Sequence, residues 1–306
     1  MARLATLPVL LSALLLPLPG NTSAQQPTFR AGTELVTFGV TVVDRQGNFI
    51  TDLAQEDFEV VEDDRKQSLK YFTRGADLDG GLELHVGLLF DTSGSMGEDI
   101  NLARSAAIKF LNTLSDARDI TLVDFDTEVR MSKYGQQDFP RLVERIRNRK
   151  PDGFTAMYDA LGLYLQSADL DDGRKILVLF SDGGDTRSTL SFADAMTLLR
   201  ASDATVYAVG FMENQPSTVR NQQRIRLTQM ATETGGEAFF PTSMKQITSA
   251  YDKIVAQIRA QYTLGYVSSS ALKDGRWRKV EIRVRRPDLK DLRVQTRKGY
   301  FAPYEP

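Results

Sequence analysis

The apolar residues between positions 82 and 260 alternate between strand and helix spacing. Leu82 to Phe90 is largely apolar and Ile176 to Phe180 is continuously so, as is typical of parallel strands buried on both faces. Between them, Ile100 to Leu114 carries apolar side chains at helical spacing. The repeated alternation predicts an α/β domain with a doubly wound, mostly parallel sheet and helices on both faces.

The residues before this region have a strand pattern without helices. Leu35 to Val43 is β-branched and aromatic with near alternation, and it ends in a polar turn cluster. Two short extended stretches, 58–61 and 69–72, flank the polar residues 62–68. This arrangement predicts a hairpin between them.

The residues after position 260 return to the strand pattern. In the stretch 277–284, Val280 and Ile282 share one face while charged side chains occupy the other. The economical arrangement pairs both flanking segments into one β-sandwich, with the α/β domain inserted between them. The predicted division is a signal peptide (1–24), an N-terminal β segment (25–81), the α/β domain (82–260) and a C-terminal β segment (261–306).

The N-terminus has the pattern of a secretory signal. Arg3 precedes an apolar run from Leu4 to Leu18, and small residues follow up to Ala24. The run is shorter than the roughly 20 residues of a spanning helix, which favours cleavage near Ala24 over a membrane anchor. We therefore expect a secreted, periplasmic or envelope protein that is not integral to the membrane after cleavage.

The composition excludes several kinds of site. The 306 residues include no cysteine and one histidine, His85, and the formal net charge is −2. Disulfides, cysteine nucleophiles and thiolate or histidine-rich zinc sites are therefore impossible. The small net charge does not favour nucleic-acid binding.

Carboxylates follow two of the predicted strands. The first α/β strand runs into Asp91-Thr92-Ser93-Gly94-Ser95, where the side chains at alternating positions point to the same side of an extended segment. Asp182 follows the later strand and precedes two glycines, and Thr155 lies in a loop just before a helix. Open α/β sheets bind ligands at the carboxyl ends of strands where the strand order reverses, so a shared site requires these two strands to be neighbours.

These residues resemble the metal-ion-dependent adhesion site of von Willebrand factor A domains. In that family, Asp-x-Ser-x-Ser is followed by a Thr and then by an Asp next to a glycine. Each position of the pattern is filled here, by Asp91, Ser93, Ser95, Thr155 and Asp182. The resemblance covers residues 82–260, and the flanking segments are similar to secreted proteins of the Acidobacteria type related to von Willebrand factor A. It implies an adhesion-type module in which a carboxylate from a partner completes the coordination of the metal.

The ligand chemistry indicates which metal to expect. All five candidate ligands are hard oxygens, which favours Mg²⁺, Mn²⁺ or Ca²⁺ over zinc or copper, and the small number of ligands favours Mg²⁺ or Mn²⁺ over Ca²⁺. Two carboxylates neutralise a divalent cation, so an Asp or Glu of a protein partner can approach without excess negative charge. The candidate outer-shell residues are Asp124, Asp126 and Asp185, for which solvated loop positions are an equal alternative.

Other interpretations stay open at this point. Asp91, Ser93 and Ser95 are also common turn residues, and a correctly folded site can lack metal. The chain could serve as a structural subunit of an envelope assembly. A phosphoesterase is disfavoured because Ser93 stands where such enzymes carry a second Asp, and we expect neither catalysis nor a small-molecule substrate. Residues 273–298 have eleven Lys or Arg against four acids, a pattern better explained by a solvated strand face than by an anionic partner.

Overall fold

The structure is a computed structural model that describes residues 35–75, 82–114, 117–213 and 215–305. The predicted signal peptide lies outside these ranges and stays a prediction. Within the described residues, no helix is both long enough and apolar enough to cross a bilayer.

The described residues form fourteen β-strands and six α-helices. The strands are β1 (Val36–Val43), β2 (Phe58–Glu62), β3 (Arg65–Gln67), β4 (Leu69–Arg74), β5 (Leu84–Asp91), β6 (Asp119–Phe125), β7 (Val129–Gly135), β8 (Arg174–Ser181), β9 (Thr205–Gly210), β10 (Ala238–Phe239), β11 (Tyr262–Tyr266), β12 (Trp277–Val284), β13 (Arg293–Gln295) and β14 (Gly299–Phe301). The helices are α1 (Ile100–Thr113), α2 (Phe139–Asn148), α3 (Met157–Ala168), α4 (Phe192–Ala201), α5 (Ser217–Glu233) and α6 (Met244–Ala260).

Within the described residues, the α/β domain has a sheet of six strands in the order β10-β9-β8-β5-β6-β7. All neighbours are parallel except β7, which runs antiparallel to β6 at one edge. Helices α1, α2 and α6 bury apolar side chains against one face, and α3, α4 and α5 do so against the other. The predicted fold class, a doubly wound and mostly parallel sheet, is confirmed.

Strand β5 lies at the centre of this sheet, between β6 and β8. The chain leaves β5 through α1 towards β6 on one side, whereas β8 pairs with the other side. The strand order therefore reverses at the carboxyl end of β5, which is where open α/β sheets form a ligand crevice. Asp91 ends β5 and Ser181 ends β8, so the neighbour requirement for Asp91 and Asp182 is met.

Two further sheets combine strands from both ends of the chain. Their strand orders are β13-β1-β11-β4 and β14-β12-β2-β3 within the described residues. The inner faces share one apolar core, which includes Phe38 of β1, Val60 of β2, Leu264 of β11 and Ile282 of β12. The two sheets thus form a sandwich to which each flanking segment contributes strands. The domain boundaries given above remain predictions.

The hairpin predicted between 58–61 and 69–72 is wrong. Strand β2 pairs instead with β3, and β4 joins the other sheet by pairing with β11. The reason is the turn at Asp63 and Asp64, whose φ angles of 43° and 64° permit a two-residue connection. Because the hairpin closes this early, the polar residues Arg65 to Gln67 become a strand.

The basic residues near the C-terminus are largely ion-paired. On the charged face of β12, Arg283 contacts Glu281, and beyond the strand Arg285 contacts Glu59. Arg286 pairs with Asp52, which also comes from the N-terminal segment. Acidic residues outside the 273–298 stretch therefore offset part of its charge, in agreement with a solvated strand face.

A buried carboxylate connects the two sheets of the sandwich. Glu62 of β2 is 2% exposed and accepts hydrogen bonds from the Tyr266 hydroxyl of β11 at 2.8 Å and the Tyr300 hydroxyl of β14 at 2.9 Å. The Ser268 hydroxyl donates to its other oxygen at 2.5 Å. Burial raises the pKa of Tyr300 to about 12, and the negative charge of Glu62 contributes in the same direction. These hydroxyls therefore stay protonated donors at neutral pH.

We expect Glu62→Ala to lower the free energy of unfolding by about 2–4 kcal/mol, because the hydroxyls of two buried tyrosines and of the half-buried Ser268 lose a charged acceptor. Denaturant unfolding followed by circular dichroism measures this difference. The matched control is Glu56→Ala, since Glu56 is exposed and should shift stability by no more than about 0.5 kcal/mol. Equal stabilities of the two variants would contradict the role assigned to Glu62.

Candidate metal centre

The first loop of the site follows β5 and contains three of the candidate ligands. Asp91 is fully buried, and its Oδ1 accepts hydrogen bonds from the Ser93 amide at 2.9 Å and the Ser93 hydroxyl at 2.6 Å. The hydroxyl oxygens of Ser93 and Ser95 are 3.1 Å apart. A short 3-10 turn at Gly94–Met96 bends the chain so that these oxygens stay together. Ser95 is exposed, so the cluster reaches the surface.

The second carboxylate lies on the loop after β8. Register pairs Phe90 with Phe180, which places Ser181 beside Asp91, and the Ser181 hydroxyl donates to Asp91 Oδ2 at 2.5 Å. Asp182 is 2% exposed. Its Oδ1 accepts from the Gly184 amide at 2.9 Å, and its Oδ2 accepts from the Gln215 side-chain amide at 2.8 Å.

Thr155 comes from a third loop, which precedes α3. It is 4% exposed, and its amide donates to the Thr186 hydroxyl at 3.0 Å. Its carbonyl accepts the Thr186 amide at 2.9 Å, which joins this loop to the one after β8. The Gly94 amide donates to the Gly153 carbonyl at 3.1 Å, which joins it to the loop after β5. The three loops that carry all five candidate ligands are therefore hydrogen-bonded to one another.

The electrostatics of the site are those of two carboxylates held out of water. Burial raises the pKa of Asp91 to about 7, and the negative charge of Asp182 acts in the same direction. Hydrogen bonds from Ser181 and Ser93 oppose this shift. Among the described residues, neither Asp91 nor Asp182 forms an ion pair with a Lys or Arg.

This donor set fits a divalent cation. Buried carboxylates without a positive partner are costly, and a cation would offset that cost. Carboxylate and hydroxyl oxygens are the ligands that Mg²⁺, Mn²⁺ and Ca²⁺ accept. The exposed Ser95 leaves a route from solvent to the cluster.

The three candidate outer-shell carboxylates have other partners. Asp124 is fully buried and contacts Arg130 at 2.9 Å, Arg145 at 2.6 Å and Arg149 at 2.8 Å. Asp126 also pairs with Arg130, although its backbone carbonyl accepts the Ala156 amide beside Thr155. The Asp185 carboxylate accepts the Tyr158 amide at 2.9 Å and so caps the start of α3. An outer-shell role for these residues stays a prediction.

Sequence reasoning missed two residues that hold the carboxylates. Ser181 was visible beside Asp182, but only the register between β5 and β8 shows that its hydroxyl meets Asp91. Gln215 comes from the loop before α5 and is 33 positions from Asp182. No local pattern indicates such a distant contact.

A second cluster with metal-binding side chains lies at the opposite end of the sheet. Ligand atoms of His85, Asp119 and Asp171 fall within 4.8 Å of one another. The Lys133 ammonium contacts Asp171 at 2.8 Å and Asp119 at 3.2 Å, so this cluster already includes a positive charge. His85 is 8% exposed, as expected for a packed strand residue.

Comparisons with known proteins give the family and the fold. The family model of the von Willebrand factor type A domain matches residues 85–253, which is more than half of the chain. No curated protein matches the chain.

Solved structures with a similar fold have low sequence identity to this chain. A von Willebrand factor type A protein from Catenulispora acidiphila is 14% identical with a TM-score of 0.46, and the match covers 90% of this chain and 75% of that one. The pilus adhesin SpaC from Lactobacillus rhamnosus GG, in an open conformation, is 9% identical with a TM-score of 0.51, covering 85% and 49%. Proximal thread matrix protein 1 from the mussel byssus, described with a zinc-occupied adhesion-site motif, is 16% identical with a TM-score of 0.46, covering 65% and 50%.

The sheet topology, the position of the three loops and the match of the family model agree with one another. The chain belongs to the family of the von Willebrand factor type A domain.

Proposed function

We propose that the chain is a secreted, metal-dependent protein-binding module that captures an Asp or Glu side chain of a partner. The observation that carries this proposal is the fully buried Asp91, which lies beside Asp182 without an ion pair to Lys or Arg among the described residues. Such a carboxylate pair lowers the stability of the fold unless a cation binds to it. Its position at the carboxyl end of β5 opens towards solvent, where a partner can reach it.

The residues that would hold the ion are Asp91, Ser93, Ser95, Thr155 and Asp182. Bound there, a divalent cation supplies positive charge that a carboxylate from another protein can coordinate. Mg²⁺ is our first choice because every donor is a hard oxygen, with Mn²⁺ or Ca²⁺ as alternatives. Zinc occupies the adhesion-site motif of the mussel protein, so zinc is a further ion to test for binding at this site.

The side chains on the site loops favour a binding function over catalysis. Among the described residues, the site has hydroxyls and carboxylates but no histidine, and Ser93 replaces the second Asp of the phosphoesterase pattern. A binding role also fits the shared fold with a pilus adhesin. The signal peptide expected at residues 1–24 supports a location in the periplasm, the envelope or the medium. A permanent structural subunit of an envelope assembly is the second candidate, in which the ion only stabilises the loops.

The first prediction concerns capture of envelope proteins by the immobilised chain. We expect capture in Mg²⁺, loss of capture in a chelator, and loss in Asp91→Ala because the ion has lost a ligand. Pull-down from the native envelope fraction, followed by mass spectrometry, measures it. Glu98→Ala is the matched control, since Glu98 is an exposed carboxylate close to the loop and outside the ligand set. Identical capture in Mg²⁺, in chelator and with Asp91→Ala would contradict the adhesion-site mechanism and favour the role of a structural subunit.

The second prediction concerns pH. In chelator-treated protein the pKa of Asp91 is raised to about 7, so protons compete with Mg²⁺ below that pH. We expect the apparent affinity to weaken by up to about tenfold per pH unit as the pH falls from 7 to 5.5, and to level off above 7. The same raised pKa means that the metal-free fold binds more protons than the unfolded chain, so its stability should increase as the pH falls from 8 towards 5. Isothermal titration at four pH values tests the first expectation, and a flat profile would contradict it.

The third prediction concerns Ser181, whose hydroxyl orients Asp91. Ser181→Ala should weaken Mg²⁺ binding by about tenfold or more, because groups that hold a ligand carboxylate in place contribute to metal affinity. Ser181→Thr keeps the hydroxyl and should retain most of the affinity. Ser105→Ala, which removes an exposed hydroxyl on α1, is the control. Equal Mg²⁺ affinities of Ser181→Ala and Ser105→Ala would exclude the positioning role.

A further inference from the structure

We propose that Phe154 forms an apolar contact beside the metal site, and that the partner segment carries an apolar side chain next to its metal-binding Asp or Glu. This inference rests on the proposed function, because it assumes that a carboxylate is captured at Asp91 and Asp182. It adds the chemical class of the residue that accompanies that carboxylate.

The first step is the position of the ring. Phe154 is 62% exposed, whereas the next residue, the candidate ligand Thr155, is 4% exposed. These exposures show that Thr155 turns inward and Phe154 turns outward from the same short segment. The Cα atoms of consecutive residues are only about 3.8 Å apart, so the ring lies at the edge of the site.

The second step is that hydrogen bonds hold the loop in place. Each amide from Gly153 to Ala156 donates a hydrogen bond: Gly153 to Asp152 Oδ1 at 2.8 Å, Phe154 to Thr127 Oγ1 at 2.9 Å, Thr155 to Thr186 Oγ1 at 3.0 Å and Ala156 to the Asp126 carbonyl at 2.9 Å. Gly153 has a φ of +71°, and a Cβ there would lie 2.3 Å from Thr127 Oγ1. The ring is therefore presented by an ordered backbone, and binding to it costs little loop entropy.

The third step is the contrast with the rest of the rim. In the three site loops, at 91–97, 151–156 and 181–188, Phe154 is the one large apolar side chain that is exposed. The other exposed positions in the loops after β5 and β8 are small, polar or charged, among them Ser95, Thr186 and Arg187. The surface around the ion thus has a polar side and a single apolar side.

These features define the partner's chemistry. A carboxylate bound at the metal positions the adjacent residues of the partner over the rim, where Phe154 offers an aromatic face. Burial of an exposed aromatic ring is a large source of binding free energy, whereas a polar neighbour gains nothing from it. The segment that fits is an Asp or Glu flanked by a Leu, Ile or Phe.

The test uses synthetic peptides of nine residues with a central Asp, flanked on both sides either by Leu or by Ser, and a central-Asn peptide as the metal-site control. Fluorescence anisotropy with Mg²⁺ or with chelator measures their binding to the wild type, Phe154→Ala, Phe154→Trp and Leu170→Ala. Leu170 is the matched control because it is an 86% exposed apolar residue just beyond the far end of α3.

We expect the Leu-flanked Asp peptide to bind the wild type and Leu170→Ala about tenfold more tightly than the Ser-flanked one, and only with Mg²⁺. In Phe154→Ala this preference should fall to about twofold or less, while Phe154→Trp keeps it and Mg²⁺ affinity is unchanged in all variants. A wild type without the preference, or a preference undiminished in Phe154→Ala, overturns the inference but leaves metal-dependent capture standing. If neither Asp peptide binds in a Mg²⁺-dependent way, the proposed function fails and this inference fails with it.

Discussion

The burial of Asp91 beside Asp182 is the constraint on which the arrangement of the site depends. Two carboxylates in one crevice repel each other and have lost water, so each needs several donors. Asp91 obtains them from Ser93 and from Ser181, and these two residues belong to different loops. The crevice therefore requires β5 and β8 to be paired in one register, and it requires the loops after them to be ordered together.

Two buried arginines, Arg174 and Arg297, lie where the sandwich meets the α/β domain. The Arg174 guanidinium, at the start of β8, donates to the Ile258 carbonyl at the end of α6 at 2.6 Å and to Gln261 Oε1, just before β11, at 3.2 Å. Arg297 donates to the carbonyls of Thr37 at 2.7 Å and Ser202 at 3.1 Å, and it lies 4.5 Å from the Phe38 ring. Burial lowers the pKa of both arginines, and the backbone carbonyls provide the acceptors that water would otherwise supply. Charged hydrogen bonds, together with the direct passage of α6 into β11, thus connect the two parts.

The sequence predicts local chemistry well and long-range register poorly. The strand-helix alternation was sufficient to predict the fold class. The oxygen-bearing residues after two strands were sufficient to predict that Asp91, Thr155 and Asp182 lie on adjoining loops. The contact of Ser181 with Asp91 depends on the pairing of β5 with β8, and the contact of Gln215 with Asp182 depends on the position of a distant loop. Neither of these can be recognised from the spacing of residues in the sequence. The same limit explains β3, because three polar residues look like a loop until the turn at Asp63 and Asp64 pairs them with β2.

A buried carboxylate pair is an unusual feature to place at the centre of a sheet. Apolar residues of similar size would pack there without desolvated charge, and such replacements are often neutral or stabilising. Without an ion, the raised pKa of Asp91 lets a proton offset part of this cost, and in the proposed function a divalent cation takes the place of that proton. A ligand that binds the folded state alone adds its binding free energy to stability, so the order of the three loops and the occupancy of the site become one linked equilibrium. In the proposed function, the cost of burying Asp91 makes the stability of the site depend on the ion, whereas the loop that carries Phe154 is already held by hydrogen bonds within the chain.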